Sequence, residues 1–136
     1  MKIVSVIPVR GRHSLVSHTI SRLYLKNKVN HVICIGSEED KDVCEECGAE
    51  FILFENEPLG RKWNAGFLAA KDHSPDAVLL MGSSNWISEN WIEYMSQYLE
   101  QSMVVGKQDF NILVKHGRQI EMLRWMEYPK EKVRLK

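Results

Sequence analysis

The stretch KIVSVIPVRGR, residues 2–12, passes from an apolar run into a short basic loop. Its length and its β-branched residues predict a buried β-strand. In the polar segment that follows, Leu15, Ile20, Leu23 and Tyr24 recur near helical spacing, which predicts an amphipathic helix. The chain therefore opens with a strand that leads through a basic loop into a helix.

The same order of strand and helix recurs three more times. Further strands are predicted at HVICIG (31–36), EFILFE (50–55) and DAVLLMG (76–82). The segments EEDKDVCEECG, GRKWNAGFLAAKDH and SENWIEYMSQYLEQ follow them in turn and have helical features. Strands joined through helices lie parallel in one sheet. The sequence therefore predicts an α/β fold, a mainly parallel sheet with helices on both faces.

The end of the chain has a different character. SMVVG (102–106) predicts a fifth strand, and FNILVK and IEMLRW around HGRQ predict a hairpin. A helix through GRQIEMLRWMEY is the alternative, because its apolar residues also fit a helical period. The basic tail PKEKVRLK is expected to fray or to pack on a partner. We therefore expect one domain over 1–136, with an α/β part at 1–101 and a strand, hairpin and tail at 102–136.

Composition limits the function classes. The chain has 136 residues, of which 44% are hydrophobic and 26% charged, and its formal net charge is zero. This balance gives no bulk attraction to nucleic acid or anionic membranes. The apolar stretches are too short for a signal peptide or for the ~20 residues of a membrane span. We expect a cytoplasmic protein with no membrane span and no nucleic-acid partner.

The cysteines and histidines give no metal motif in the sequence. CEEC (44–47) has the spacing of zinc and redox motifs, but no second pair of ligands follows at a similar pitch. We expect free thiols, with Cys34 in the core. The histidines at 18, 31, 73 and 116 form no spacing pattern.

The segments after the four strands are the candidate binding loops, because open parallel sheets bind ligands beyond the carboxyl ends of their strands. These segments are PVRGRH, GSEED, NEPLGRKWN and GSSNW. Their cations can neutralise a diphosphate, and the helix that begins near Leu59 adds its dipole. The cations concerned are Arg10, Arg12, Arg61 and Lys62.

Taken in order, these segments resemble the nucleotide-binding half of the family 2 glycosyltransferases, which have the nucleotide-diphospho-sugar transferase (GT-A) fold. The most specific piece is NEPLGRKWNAGFLAA, in which Asn56, Gly60, Asn64 and Gly66 match the family pattern. HVICIGSEED resembles the family's strand that ends in Gly-Ser followed by acids. The resemblance covers roughly the first two thirds of the chain.

The resemblance implies a nucleotide-sugar donor site. The loop from Pro8 to Arg12 would line the nucleobase and ribose, and Gly36, Ser37 and Glu38 would lie beside the base. Arg61, Lys62 and Asn64 would approach the diphosphate and the sugar. The loop Gly82 to Asn85 stands where the family carries a DxD motif that binds a divalent ion. Trp86, directly after it, is the candidate to stack on a base or sugar.

The chain departs from the family pattern at its acidic positions. Cys34 and Ile35 stand where the family has paired aspartates, and the DxD motif is replaced by Gly-Ser-Ser-Asn. Ser84 and Asn85 are then the candidate ligands for Mg²⁺ or Mn²⁺, although neutral oxygens bind these ions weakly. Glu121 and Glu127 are the nearest candidates for the general base that inverting transfer requires.

Three functions follow from this reading. The first is a glycosyltransferase that moves a sugar from a nucleotide-diphospho-sugar to an acceptor. The second is an inactive domain of the same fold that binds a nucleotide-sugar or a protein. The third is a sugar nucleotidyltransferase, which shares the fold and a similar Ile-Pro-basic loop. Because a short sheet leaves an edge that needs protection, a homodimer is a further hypothesis.

Overall fold

The computed structural model describes residues 1–106, 110–116, 119–125 and 132–135. The chain forms two compact units, Met1–Ile92 and Glu93–Lys136. The sequence analysis set its internal division after residue 101. In the part of the chain that the structure describes, no helix is long and apolar enough to cross a lipid bilayer.

The first unit is built on a four-stranded parallel sheet. Its strands are β1 (Ile3–Pro8), β2 (His31–Gly36), β3 (Glu50–Leu53) and β4 (Ala77–Leu80). They lie in the order β3-β2-β1-β4, and all three pairs are parallel. This arrangement confirms the predicted α/β fold class, and it makes β3 and β4 the two edges of the sheet.

Helices cover both faces of this sheet. Among the described residues, the helices are α1 (His13–Leu25), α2 (Lys41–Glu46), α3 (Leu59–Asp72) and α4 (Trp91–Ser96). A short 3₁₀ turn, Glu38–Asp40, leads into α2. Residues of α1 and α2 belong to the apolar cluster on one face, and residues of α3 belong to the cluster on the other. The segment predicted to form the fourth helix is helical only over Trp91–Ser96.

The sheet is apolar on both sides because it is covered on both sides. In β1, Val4 and Val6 pack in the α3 cluster, whereas Ile3 and Ile7 pack in the α1 cluster. All four side chains are buried. A strand that is enclosed in this way reads as a continuous hydrophobic run rather than an alternating one, which is why residues 2–12 indicate the fold so clearly.

The second unit contains an antiparallel sheet of three strands. They are β5 (Phe110–His116), β6 (Gln119–Trp125) and β7 (Lys132–Leu135), in the order β5-β6-β7. β5 and β6 pair in a register that puts His116 opposite Gln119. The predicted hairpin is therefore confirmed, and the alternative helix is wrong.

Two further expectations for the C-terminal segment are wrong. Residues 102–106 form no strand, and Met103 and Val104 are almost fully exposed. The basic tail contributes β7, which pairs with β6 through Leu123 and Arg124. Glu121 lies in β6 opposite Val114, whereas Glu127 lies outside the described residues.

The contact between α3 and the sheet depends on Gly66. A Cβ atom at this position would lie 2.4 Å from Val6 Cγ1 and 2.6 Å from Ile35 Cδ1. Both distances are far shorter than van der Waals contact, so even a methyl group would force the helix away from the strands. The glycine of the Asn-x-Gly pattern is thus needed for close packing of α3 on β1 and β2.

We predict that Gly66→Ala destabilises the protein by about 1–3 kcal/mol, because overpacking outweighs the helix propensity that alanine adds. Urea unfolding followed by circular dichroism measures the change. The matched control is Gly60→Ala in the same helix, where a Cβ would meet no atom within 4 Å. We expect its stability to be unchanged or slightly higher, and equal losses in the two variants would contradict the packing argument.

Candidate functional site

The loops at the carboxyl edge of the parallel sheet are held together by a buried carboxylate. Asp40, at the end of the 3₁₀ turn, is fully buried. Its oxygens accept hydrogen bonds from the backbone N–H groups of Gly11 (3.0 Å) and Ser37 (3.2 Å), the Ser37 hydroxyl (3.1 Å) and His13 Nε2 (2.9 Å). The loop after β1, the loop after β2 and the start of α1 are therefore fixed to one side chain.

The environment of Asp40 favours its charged form. Burial alone would raise the pKa of its carboxyl, but the hydrogen bonds from His13, Gly11 and Ser37 outweigh burial and lower the pKa. The site also requires a glycine at position 36, because a Cβ there would lie 2.8 Å from Asp40 Oδ2. Gly36, at the end of β2, thus leaves space for the aspartate, and Ser37 donates hydrogen bonds to it.

A buried lysine fixes the same loops from α3. Lys62 is only 2% exposed, and its ammonium donates to the carbonyl oxygen of Val9 and to Asn56 Oδ1, the latter at 2.8 Å. Burial lowers the pKa of Lys62, the charge of Asp40 opposes this change, and the charge of Arg10 adds to it. The predicted diphosphate ligand Lys62 is therefore enclosed by protein oxygens, and it ties α3 to the loops after β1 and β3.

The three arginines of the predicted site are all exposed. Arg10 forms an ion pair with Glu57 at 3.3 Å, in which both side chains are largely exposed. Arg12 is the N-cap of α1 in a left-handed conformation, with φ at 53°. Arg61 lies in the first turn of α3. Solvent-exposed guanidinium groups at these positions remain accessible to an anionic ligand.

The amino ends of α1 and α3 strengthen this positive character. Both helices begin at the carboxyl edge of the sheet, after Arg12 and Pro58 respectively. Neither has an acidic residue in its first turn, and among the described side chains none caps either end. Uncapped N–H groups and the helix dipole favour a bound anion.

An open depression of ≈ 460 Å³ lies at the β2 and β3 side of this edge. Leu53 and Phe54 give it an apolar wall, and Ser37, Glu55 and Arg61 give it polar groups. It therefore brings together two predicted site residues, Ser37 and Arg61, from different segments of the chain.

The remaining predicted residues of these loops differ in their exposure. Pro8 is the half-buried last residue of β1, and Gly36 is the buried last residue of β2. Glu38 is exposed in the 3₁₀ turn, and Asn64 is exposed in α3. The side chains of Glu38 and Asn64 are therefore free to meet solvent or a ligand.

The loop after β4 lies at the opposite end of the carboxyl edge, because β4 and β3 are the two edge strands. The carbonyl oxygens of Ser83 and Asn85 accept hydrogen bonds from Thr19 Oγ1 at 3.2 and 3.1 Å. The Asn85 side chain is folded over Gly82, where a Cβ would lie 2.6 Å from Asn85 Oδ1. Ser84 lies half-buried in the same loop.

Trp86 is held against α1. The Arg22 guanidinium lies 5.1 Å from the centre of its ring, and His18 meets the ring edge-on at 6.1 Å. The indole is 56% exposed. Trp86 therefore retains a surface for stacking, but a cation–π contact with Arg22 already uses part of its ring system.

The cysteines confirm the expectation of free thiols. Cys34 and Cys44 are buried, and Cys47 is partly buried. A hydrogen bond with Cys44 and burial raise the pKa of Cys34, which makes it an unreactive thiol.

The sequence analysis did not identify three residues that hold the loops of this site together, Asp40, His13 and Asn56. The pattern Ser-x-x-Asp at 37–40 is a capping-box signature and could have identified the aspartate. Asn56 matched the family pattern, but the pattern does not name Lys62 as its partner. His13 has no comparable local signal, because its partner lies in another loop.

No protein-family model matches the chain, and no curated protein matches it. Several solved structures are similar to it. One is a CMP:2-keto-3-deoxy-manno-octonic acid synthetase complexed with CTP, with a TM-score of 0.55 and 15% identity over 90% of this chain and 62% of that chain. Another is the 4-diphosphocytidyl-2C-methyl-D-erythritol synthase from Anaerococcus prevotii DSM 20548, with a TM-score of 0.57 and 12% identity over 88% and 58%.

These similarities define the class of fold. The chain has a nucleotide-diphospho-sugar transferase-like fold, as the sequence predicted. It spans about three fifths of the length of these two proteins. Neither of them is named as a glycosyltransferase, so the narrower assignment to family 2 is not part of this finding.

We predict that Asp40→Asn lowers the stability at pH 7 by about 2–3 kcal/mol, because the amide cannot accept all the hydrogen bonds made to the carboxylate. The lowered pKa also sets a pH dependence. The stabilisation by the ionised Asp40 is complete above the ordinary aspartate pKa of about 3.9. It is lost as pH falls through the lower pKa that Asp40 has in the folded protein.

Urea unfolding of the native protein and of Asp40→Asn between pH 7 and pH 2 measures the difference in their free energies of unfolding. This difference should become smaller on acidification. The matched control is Asp42→Asn, an exposed carboxylate two residues away, for which we expect little change. A difference between Asp40→Asn and the native protein that stayed constant with pH would contradict the assignment.

Proposed function

We propose that the carboxyl edge of the first unit binds the phosphates of a nucleoside triphosphate. The observation that carries this proposal is the pair of uncapped helix ends, α1 and α3, with Arg12 and Arg61 beside them. A triphosphate carries several negative charges, and N–H groups together with guanidinium groups are the usual partners of phosphate in proteins.

The loops that would receive the phosphates are already ordered. Asp40 holds the loops after β1 and β2, and Lys62 holds α3 against the loop after β1. Binding to a preorganised site requires little additional ordering of the chain. Lys62 acts in this proposal as a positioning residue, because it is buried and its ammonium already donates to two protein oxygens.

The nucleobase would occupy the depression beside β2 and β3. Leu53 and Phe54 offer an apolar surface, and the Ser37 hydroxyl and the Glu55 carboxylate offer polar groups for the edge of a base. Arg61, on the wall of the same depression, would then lie between the base and the phosphates. Glu38 and Asn64 would face the ribose or the second substrate.

We infer nucleotidyl transfer as the reaction. In it, an oxygen of a sugar-like acceptor attacks the α-phosphorus of the triphosphate, the bond to the β-phosphate oxygen breaks, and pyrophosphate leaves. Cations stabilise the charge that develops on the leaving group. The similar solved structures support this choice over glycosyl transfer, because one holds CTP and both are named as synthases of cytidine compounds.

Glycosyl transfer remains the alternative that the sequence pattern supports. It would use the loop after β4 to hold Mg²⁺ or Mn²⁺ through Ser84 and Asn85, which provide neutral oxygens only. Glu121 and Glu127 remain its predicted general bases. A domain that binds a nucleotide-sugar or a protein without catalysis is the third possibility.

Calorimetric titration of the full chain with CTP, UTP, ATP and GTP, and with UDP- and GDP-sugars, tests the proposal in the presence of Mg²⁺, in the presence of Mn²⁺ and without either ion. We expect a triphosphate to bind more tightly than any nucleotide-sugar. Preference for a nucleotide-sugar that requires Mn²⁺ would favour glycosyl transfer. Binding of no nucleotide would refute both enzyme assignments and favour a domain that binds a protein.

We predict that Arg61→Ala weakens triphosphate binding by roughly 10- to 100-fold, as expected for the loss of charge-assisted hydrogen bonds. The matched control is Lys71→Ala, an exposed cation in the last turn of the same helix. Its affinity should stay within about twofold of the native value. Equal weakening in the two variants would indicate a general charge effect instead of a local contact.

A further inference from the structure

The amino edge of the parallel sheet carries a cluster of three side chains that the loops of the proposed nucleotide site do not include. His31 begins β2, Glu50 begins β3 and His73 follows the last residue of α3. We call these residues the amino-edge triad. The sequence analysis found no pattern in His31 and His73, and the structure corrects that reading.

The three side chains of the triad converge on one carboxylate oxygen. His31 Nε2 and His73 Nε2 each lie 2.7 Å from Glu50 Oε2. The two imidazole rings are 4.1 Å apart between their centres and are inclined by 34°. One ligand atom from each residue lies within 4.8 Å of the other two. Three donors of metal-binding type therefore share one small volume.

Rigid elements hold the triad in place. β2 and β3 are paired in parallel, with Ile33 opposite Glu50, so the first residues of both strands lie in a fixed register. The backbone N–H of His73 bonds to the carbonyl of Ala70 and closes the end of α3. Sites on strands and helix ends are more exact than sites on free loops.

We propose that the amino-edge triad binds a divalent transition-metal ion, with Zn²⁺ as the best-suited ion. Two imidazole nitrogens and one carboxylate oxygen form a donor set that zinc uses, with water as the fourth ligand. Imidazole ligands favour zinc, copper and nickel over magnesium and calcium. This site lies at the end of the strands opposite to the proposed nucleotide site and does not depend on that proposal.

The charge of Glu50 is compatible with this role. Burial would raise the pKa of Glu50, but the hydrogen bonds and charges of His31 and His73 outweigh it and lower the pKa. The carboxylate is therefore available as an anionic ligand. In the metal-free arrangement, each ring donates an N–H from Nε2. On metal binding, a neutral ring carries its hydrogen on Nδ1 and offers the Nε2 lone pair to the ion.

The Glu50 carboxylate must turn aside to admit the ion, because both Nε2 atoms are directed at its Oε2 atom. Zinc bonds of ~2.0–2.2 Å in a tetrahedron separate neighbouring ligands by roughly 3.3 Å. The nitrogen–oxygen pairs must therefore open by roughly half an ångström from their hydrogen-bonded distance. The side chains of His31, His73 and Glu50 are 29%, 30% and 38% exposed, which leaves freedom for this rotation and access for the water ligand.

Two neighbouring polar groups are already engaged elsewhere. The Tyr24 hydroxyl accepts from the Val32 N–H and donates to the Gly48 carbonyl, at 3.1 and 3.0 Å. The Lys2 ammonium donates to the His73 carbonyl oxygen. Lys2 brings positive charge near the site, so the ion must be held by the three donors themselves and not by a generally negative surface.

Calorimetric titration of the metal-free full chain with Zn²⁺ tests the proposal. We expect one ion per chain, and a melting temperature that rises with Zn²⁺ because the ion binds only the folded protein. His31→Gln and His73→Gln should each weaken binding by at least tenfold while melting in EDTA near the native temperature. The matched control is His18→Gln, an exposed histidine of α1, which should bind Zn²⁺ as the native protein does.

Cobalt substitution distinguishes the triad from the cysteines. Co²⁺ in the triad should give visible bands of tetrahedral type without the near-ultraviolet charge-transfer band of thiolate ligands. A thiolate band that disappears in Cys47→Ser would overturn the assignment. Retention of full Zn²⁺ affinity in both His31→Gln and His73→Gln, or no Zn²⁺ binding to the native chain, would also overturn it.

Discussion

The carboxyl edge of this protein depends on the burial of one charge. Asp40 has no exposed surface, so its carboxylate must receive all its hydrogen bonds from the chain. The groups that supply them belong to the loop after β1, the loop after β2 and the first turn of α1. An unmet hydrogen bond to a buried anion is costly, so these three segments can take only arrangements that satisfy it. The fixed conformation of the loop that carries Arg12 is a consequence.

The fold was predictable because its main signal is local. Each strand of the parallel sheet is a short apolar run enclosed by helices, and each connection is long enough to contain a helix. The errors lie where local signals mislead. Residues 102–106 are apolar yet form no strand, and Met103 is almost fully exposed. The charged tail contains no sequence pattern that predicts a strand. β7 forms because this segment pairs with β6.

The candidate site was predictable only in part. Strand ends drew attention to Ser37 and Arg61, which do line one depression. The burial of Lys62 could not be foreseen, because lysine is almost never fully buried and its acceptors come from two other loops. The amino-edge triad is invisible in the sequence for the same reason. Its members are separated by 19 and 23 residues, and only the order of the strands brings them together.

α3 has one proposed site at each end. Arg61 lies in its first turn and His73 directly after its last residue. A helix of 14 residues is about 21 Å long and stiff along its axis, and Gly66 leaves it almost no space to shift on the strands. One rigid helix therefore joins the two proposed sites of the first unit.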